Sequence, residues 1–270
     1  MGRVITSRDN AVIKALRALV GDPREIRRQG RTVIDGPHLL ESYRRRMGAP
    51  AMIVVGASAV TRPEVSALLA ACPEVAPLTV ADGVFRELSG VATPVGILGV
   101  IDIPREPTGA VVGTCVMLDA VQDAGNVGAI LRTAAAAGVA DVLLGPGCAG
   151  VWTPRVLRAA QGAHFSLRLR EGVELPTAVG AYPGASLAAM AGEGESIFDL
   201  NLSGDIAWIF GNEGSGIARP LADMATGRVT IPLARSTESL NVAAAAAVCL
   251  FEARRQQHLQ RRKRDENDRP

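Results

Sequence analysis

Five short segments constrain this chain more than anything else in it. Thr114 to Val121, Asp141 to Leu144, Ala185 to Ala189, Ile206 to Phe210 and Val229 to Ile231 are nearly continuous in apolar residues. A strand with one face in water must alternate polar and apolar positions, because successive side chains point to opposite faces. Runs without alternation belong to strands covered on both faces, as in a parallel sheet flanked by helices. Helical patterns separate these runs: Val127 to Ala137, a start at Thr153-Pro154, and a long helix beginning at Asn241. The spacing predicts an α/β fold for this part of the chain.

The stretch IDIPREPTG, Ile101 to Gly109, has two prolines, charges and little periodicity, and it marks a boundary. Before it, helices over Asn10 to Val20, His38 to Met47 and Pro63 to Ala71 alternate with strands over Thr32 to Asp35, Ala51 to Val55 and Pro94 to Ile101, a second and smaller α/β pattern. The expected organisation is a domain over 1–103, a linker over 104–110, a larger domain over 111–260, and a basic, disordered tail over 261–270. The longest purely apolar run, Val242 to Phe251, is too short to span a bilayer, and the N-terminus lacks the apolar core of a signal peptide. A cytoplasmic protein with no membrane partner is expected.

Cys72, Cys115, Cys148 and Cys249 are scattered without paired spacing, and His38, His164 and His258 stand apart from them. No metal site, disulfide framework or nucleophilic triad is expected. The net charge is only +2, but the arginines cluster: Arg24, Arg27, Arg28 and Arg31, then Arg44 to Arg46, then Arg261, Arg262 and Arg264. A single cluster is as easily a solvated helix face; their repetition points to the phosphates of a nucleic acid as a partner.

Ligands in open α/β sheets gather where strands end and helices begin, and three such places carry unusual residues. LDAVQDAGNVGAILRTAAAAG, residues 118 to 138, holds Arg132 as the lone charge of an apolar helix. Either a carboxylate such as Asp123 pairs with it, or it faces an anion in a cleft. WIFGNEGSGI, residues 208 to 217, breaks a buried-looking strand into a glycine-rich loop around Asn212, Glu213 and Ser215, either a tight turn or a place for a ligand to approach the backbone. TESLNVAAAAAVCLFEARRQ, residues 237 to 256, places Asn241 where a helix N-cap belongs, ahead of a run of alanines. GPGCAG, residues 145 to 150, matches a dinucleotide-binding fingerprint in letters, but the helix signal waits until Thr153-Pro154, so it reads as a turn.

NVGAILR, IFGNEGSGI and IPLARSTESLNVAAAAAVCLFEARRQ, in that order, resemble the three signature motifs of the SpoU (TrmH) family of S-adenosylmethionine-dependent RNA ribose 2′-O-methyltransferases. ITSRDNAVIKALRAL, VIDGPHLLES and the stretch ending TPVGILGVI resemble the RNA-binding domain, similar to ribosomal protein L30e, that many members carry. Asp35 stands where Glu is usual there, and Gln161 stands where Met is common. The resemblance implies a parallel sheet of the SPOUT type with a deep trefoil knot, a smaller L30e-like α/β domain, and a homodimer. It implies catalytic roles for Asn126, Arg132, Glu213, Ser239 and Asn241, and cofactor contacts around Gly211, Ile231 and Leu240. The implied activity is ribose 2′-O-methylation of structured RNA, with 23S rRNA favoured over tRNA. A non-catalytic RNA-binding protein, or a nicotinamide-dependent oxidoreductase resting on GPGCAG alone, are the readings from other classes.

Overall fold

The computed structural model describes residues 4–267. They form two compact units: one holds the chain up to Arg105 together with Gly150–Phe165, the other Glu106–Ala149 and the chain from Ser166 onward.

The first unit opens with α1 (Ala11–Gly21), α2 (Pro23–Gln29), β1 (Arg31–Asp35), α3 (Pro37–Met47), β2 (Met52–Gly56), α4 (Pro63–Ala71), β3 (Leu78–Val80), α5 (Asp82–Leu88) and β4 (Ile97–Asp102). The second begins with β5 (Cys115–Leu118), α6 (Ala124–Ala136) and β6 (Asp141–Leu144). The chain returns to the first unit for α7 (Pro154–Ala160) and then completes the second with β7 (Arg168–Arg170), α8 (Leu175–Ala181), β8 (Ala185–Ala189), β9 (Glu195–Ser196), β10 (Ile206–Phe210), α9 (Arg219–Met224), β11 (Gly227–Thr230) and α10 (Val242–Asn267).

Local chemistry explains the starts of the early helices. The Asn10 side chain accepts from the Val12 N–H and caps α1, which buries Ile13, Leu16 and Leu19 along one stripe. Asp22 accepts from the Arg24 N–H, with Pro23 at the first helical position of α2. In the sheet, with order β1-β4-β2-β3, β4 runs antiparallel to both its neighbours and β3 pairs parallel with β2.

Residues 150–165 complete this unit's core. Leu157 and Phe165 join Ile34, Leu40 and Ile53 in one buried cluster, and the Phe165 ring meets Tyr43 edge-on at 5.3 Å. The Thr32 hydroxyl donates to the Trp152 carbonyl at 2.6 Å. Gly162 adopts φ +84, and a Cβ there would lie 2.6 Å from Ser42 Oγ. His164 is buried, with Nε2 2.7 Å from the Val151 carbonyl oxygen, and burial drives its pKa down to about 4 against the pull of that bond. The buried, neutral ring is therefore a core residue.

The second unit is a seven-stranded sheet, order β7-β6-β5-β10-β8-β11-β9, in which every pairing is parallel. Every residue of β5, β6 and β10 is buried, as their unbroken apolar runs require. Ala207 and Ile209 pack into a cluster with Leu175, Val179 and Leu221 of α8 and α9. Trp208 and Phe210 point to the opposite face and stack with their ring planes 11° apart, and α10 packs against α6.

Two expectations change. Residues 261–267 continue α10 as helix where a disordered tail was expected; its last residues, 268–270, lie outside the described residues. The segment from Gly150 to Phe165 groups with the first unit, although it lies within the span assigned to the larger domain. GPGCAG is the turn that its sequence predicts, after β6, and no helix opens between it and Pro154. A Cβ on Gly145 would lie 2.9 Å from Leu175 Cδ1, so that glycine serves packing and the nicotinamide reading loses its only support. Among the described residues no helix is long and apolar enough to cross a membrane.

Candidate active site

The loops that follow β8, β10 and β11, together with the entry to α10, enclose a cavity of about 430 Å³ in the second unit. Met190, Ile231, Leu240 and Ala245 supply apolar wall, while Gly211, Asn212 and Glu213 bring backbone and polar groups to its edge. Its place at the C-terminal ends of parallel strands is where such sheets bind ligands.

The glycine-rich loop after β10 folds tightly on itself. Asn212 and Gly216 exchange backbone hydrogen bonds in both directions, at 2.9 and 3.0 Å. A Cβ on Gly211 would lie 2.2 Å from the Gly216 carbonyl carbon and the Ile217 nitrogen, so only glycine fits there. Asn212 Oδ1 accepts from the Gly214 and Ser215 N–H groups at 2.9 and 3.1 Å, and its Nδ2 donates to the Ala120 carbonyl at 2.8 Å. Ala120 holds φ +51, a left-handed conformation costing an L-residue about 1–2 kcal/mol. The Asn212 bond helps to fix that bend in the loop after β5.

Glu213 ties the same two loops together. Its Oε1 accepts from Asn126 Nδ2 at 2.9 Å and from the Asp123 N–H at 3.2 Å, and its Oε2 accepts from the Gln122 N–H at 3.3 Å. Burial alone would raise this carboxyl's pKa, but the Asn126 amide and backbone N–H groups outweigh it and hold it below the ordinary range. Glu213 is therefore ionised at neutral pH and a weak base.

The network continues to the third loop. Asn241 Nδ2 donates to Asn126 Oδ1 at 2.9 Å, while Asn241 Oδ1 accepts from the Ala243 and Ala244 N–H groups at 2.9 and 3.3 Å. One side chain both caps α10 and reaches a residue 115 positions earlier in the chain. The structure thus brings Asn126, Glu213 and Asn241 into one hydrogen-bonded line, with Ser239, Leu240, Gly211 and Ile231 on the adjoining cavity wall.

Arg132 stands apart from this group. It is exposed on α6, two turns beyond Asn126 and off the cavity wall; among the described residues no carboxylate pairs with it. Pairing with Asp123, one of the two readings of its sequence context, is not what the structure shows, since Asp123 Oδ1 caps α6 by accepting from the Asn126 N–H at 2.8 Å. Asn212, which its sequence context marks only as part of a glycine-rich loop, holds that loop together. Its sequence signal is an amide in a glycine-rich loop, directly after Gly211, the residue type that bonds its own loop backbone.

A seven-stranded parallel sheet with a ligand-sized cavity at its strand ends, rimmed by amides and one ionised carboxylate, defines an α/β protein built to hold a polar cofactor or substrate there. Residues 113–251 match the model of the SpoU rRNA Methylase family, and the chain belongs to that family. It is 31% identical over 261 residues to an uncharacterised tRNA/rRNA methyltransferase of Synechocystis, covering 94% of each chain. It is 34% identical over 173 residues, 63% of this chain and 69% of the other, to the 23S rRNA (guanosine(2553)-2′-O)-methyltransferase RlmP of Bacillus subtilis. A crystal structure of an RNA 2′-O ribose methyltransferase superposes with a TM-score of 0.82 at 27% identity, over 95% of this chain and all (100%) of that one.

Proposed function

We propose that this protein transfers a methyl group from S-adenosyl-L-methionine to a ribose 2′-hydroxyl in structured RNA, with 23S rRNA the favoured target. The observation that carries the reading is the line Asn241–Asn126–Glu213, which ties α6, the loop after β10 and the entry to α10 together beside a cavity of about 430 Å³ whose wall includes Glu213 and Asn241. The residues suit the cofactor: backbone around Gly211, Ile231 and Leu240 can bond a purine edge and ribose, and the apolar wall can cover the flat ring. When bound, the cofactor supplies a methyl group on a sulfonium, ready for in-line transfer to an oxygen.

In this reading the chain's own residues position rather than react. Asn126 and Asn241 hold the three loops in register, Ser239 faces the incoming ribose, and Glu213 anchors the loop after β5. Arg132 stays protonated, binds a neighbouring phosphate and stabilises the attacking oxygen electrostatically, with the proton leaving to water. Its position off the cavity wall supports a site completed by a second subunit, and we propose a homodimer. The trefoil knot, the L30e-like character of the first unit and a cytoplasmic location belong to the same reading.

Mass-spectrometric mapping of ribose methylation in rRNA and tRNA, from cells with and without the gene, tests it. Loss of one 2′-O-methyl mark in 23S rRNA is expected; loss in tRNA alone would move the target, and no lost mark would sink the reading. Calorimetry with S-adenosyl-L-methionine separates an enzyme from a non-catalytic RNA binder, which should give no heat.

A further inference from the structure

Among the described residues, Arg28, Arg31, Arg44 and Arg45 of the arginine clusters are engaged by carboxylates beside them, as is Arg255. Arg28 pairs with Glu25 at 2.6 Å, Arg44 and Arg45 share Glu41 at 3.0 and 2.6 Å, Arg31 meets Asp102 at 2.7 Å, and Arg255 meets Glu252 at 2.7 Å. A cation so engaged has fewer free donors for a phosphate. Arg62 and Arg86 belong to no cluster, yet they converge.

Both line a cavity of about 230 Å³ within the first unit, between the end of β2, the start of α5 and the turn into β4. Backbones approach closely there: a Cβ on Gly96, at φ +102, would lie 2.3 Å from Ala59 Cβ, and one on Gly56 would lie 3.0 Å from Asp82 Oδ1. Arg62 Nη1 donates to the Val95 carbonyl at 2.9 Å, which steadies that guanidinium and leaves its other donors free. Asp82 Oδ1 accepts from the Ser58 N–H at 3.1 Å. Among the described residues neither arginine is paired with a carboxylate, Asp82 included, although all three line the same cavity.

Two guanidinium groups and one carboxylate leave a single net positive charge. That balance suits a phosphodiester, which carries one negative charge, better than a phosphate dianion, which the carboxylate would repel. A guanidinium plane also offers a stacking surface for an unpaired base. We propose that this cavity takes one unstacked nucleotide of single-stranded RNA, its phosphodiester bonded by Arg62 and Arg86. The proposal rests on the RNA-substrate reading above and gives the first unit a specific grip on that RNA.

The test is a salt titration of RNA binding, by fluorescence anisotropy with a labelled single-stranded rRNA fragment, on three forms of the full chain. These are the wild type, the double variant Arg62→Ala/Arg86→Ala, and the control Arg24→Ala/Arg27→Ala, which removes two exposed arginines from α2. Losing the one single-strand phosphate contact should reduce the slope of log affinity against log salt by about 0.7 and weaken binding at least about tenfold at low salt. The control should keep most of both, and calorimetric affinity for S-adenosyl-L-methionine should be unchanged in all three. If the double variant melts lower, Arg86→Gln, which removes a guanidinium with no ion pair among the described residues, should still reduce the slope, by at most about 0.7. A wild-type slope in the double variant, or an equal loss in the control, would overturn the site while leaving the RNA reading intact. Absence of RNA binding by the wild type would overturn both.

Discussion

Asn241→Asp separates the two jobs of one side chain. Asp and Asn cap helices about equally well, so the bonds from the Ala243 and Ala244 N–H groups survive, with the helix dipole favouring the new charge. The donor to Asn126 does not survive: an oxygen would then face Asn126 Oδ1 across the present 2.9 Å contact. If the Asn126 amide turns over to donate to the new carboxylate, its own oxygen faces Glu213 Oε1 instead, also at 2.9 Å. Either way one hydrogen bond in the line is lost, and where the lost bond is to the charged Glu213 that is worth about 1.5–3 kcal/mol. If that energy aligns the loops for transfer, the rate falls about 10- to 150-fold. Asn241→Ala loses the cap as well, about 1 kcal/mol of stability, or a melting temperature lower by about 2–4 °C. Calorimetric melting and single-turnover transfer from labelled S-adenosyl-L-methionine to rRNA from cells lacking the gene measure the two effects separately. The expected result is Asn241→Asp with the wild-type melting temperature and impaired transfer. A full transfer rate in Asn241→Asp, or melting as low as Asn241→Ala, would refute the division of roles.

Arg132→Ala should leave affinity for S-adenosyl-L-methionine within a few-fold, since the side chain is off the cavity wall, and abolish methyl transfer; unchanged turnover would remove Arg132 from the proposal. His164 refuses a proton in the folded chain until about pH 4, whereas the unfolded chain takes one up near its ordinary 6.5. Its contribution is therefore fully present above pH 6.5 and is lost as pH falls towards 4. It costs about 2 kcal/mol at pH 5, and His164→Gln should shrink the stability difference between pH 7 and pH 5 by about that much in urea unfolding. Among the described residues the only titratable one on the cavity wall is the ionised Glu213, so single-turnover transfer should be flat between pH 7 and 8.5, and an inflection in that range would reveal a protein base.

The strands of the second unit were legible because burial on both faces leaves a continuous apolar record, as in VML of β5 and WIF of β10. The missed elements are short. α2, PREIRRQ, and α5, DGVFREL, have seven residues each, and β3 has three, too few for a period to declare itself. Arg132 shows the limit of composition: alone among apolar neighbours in sequence, it projects outward from α6 while Val127, Ile130, Leu131 and Ala134 turn inward. Two features were not local in any sense. The allegiance of residues 150–165 to the first unit depends on Leu157 and Phe165 meeting a core formed more than a hundred positions earlier, such as Ile34 and Leu40. The Asn126–Asn241 bond spans 115 positions, so the sequence could offer Asn241 as a cap but not as a link.

That link changes what the three loops can do. The loop after β5 is bonded to the loop after β10 by Asn212 through the Ala120 carbonyl and by Glu213 through two N–H groups, and to the entry of α10 by the two asparagines. Ordering such loops on binding would cost about 1–2 kcal/mol per residue in backbone entropy alone. Here folding has already met that cost, so ligand contacts can serve affinity and alignment instead. Glu213 can act as the hub because it is charged: its bonds are charge-assisted, and the same bonds that lower its pKa make it a poor proton acceptor. A carboxylate this well satisfied stabilises the architecture of the site at the expense of its own basicity, which leaves positioning, and the exposed cation of Arg132, as the means by which the chain would accelerate transfer.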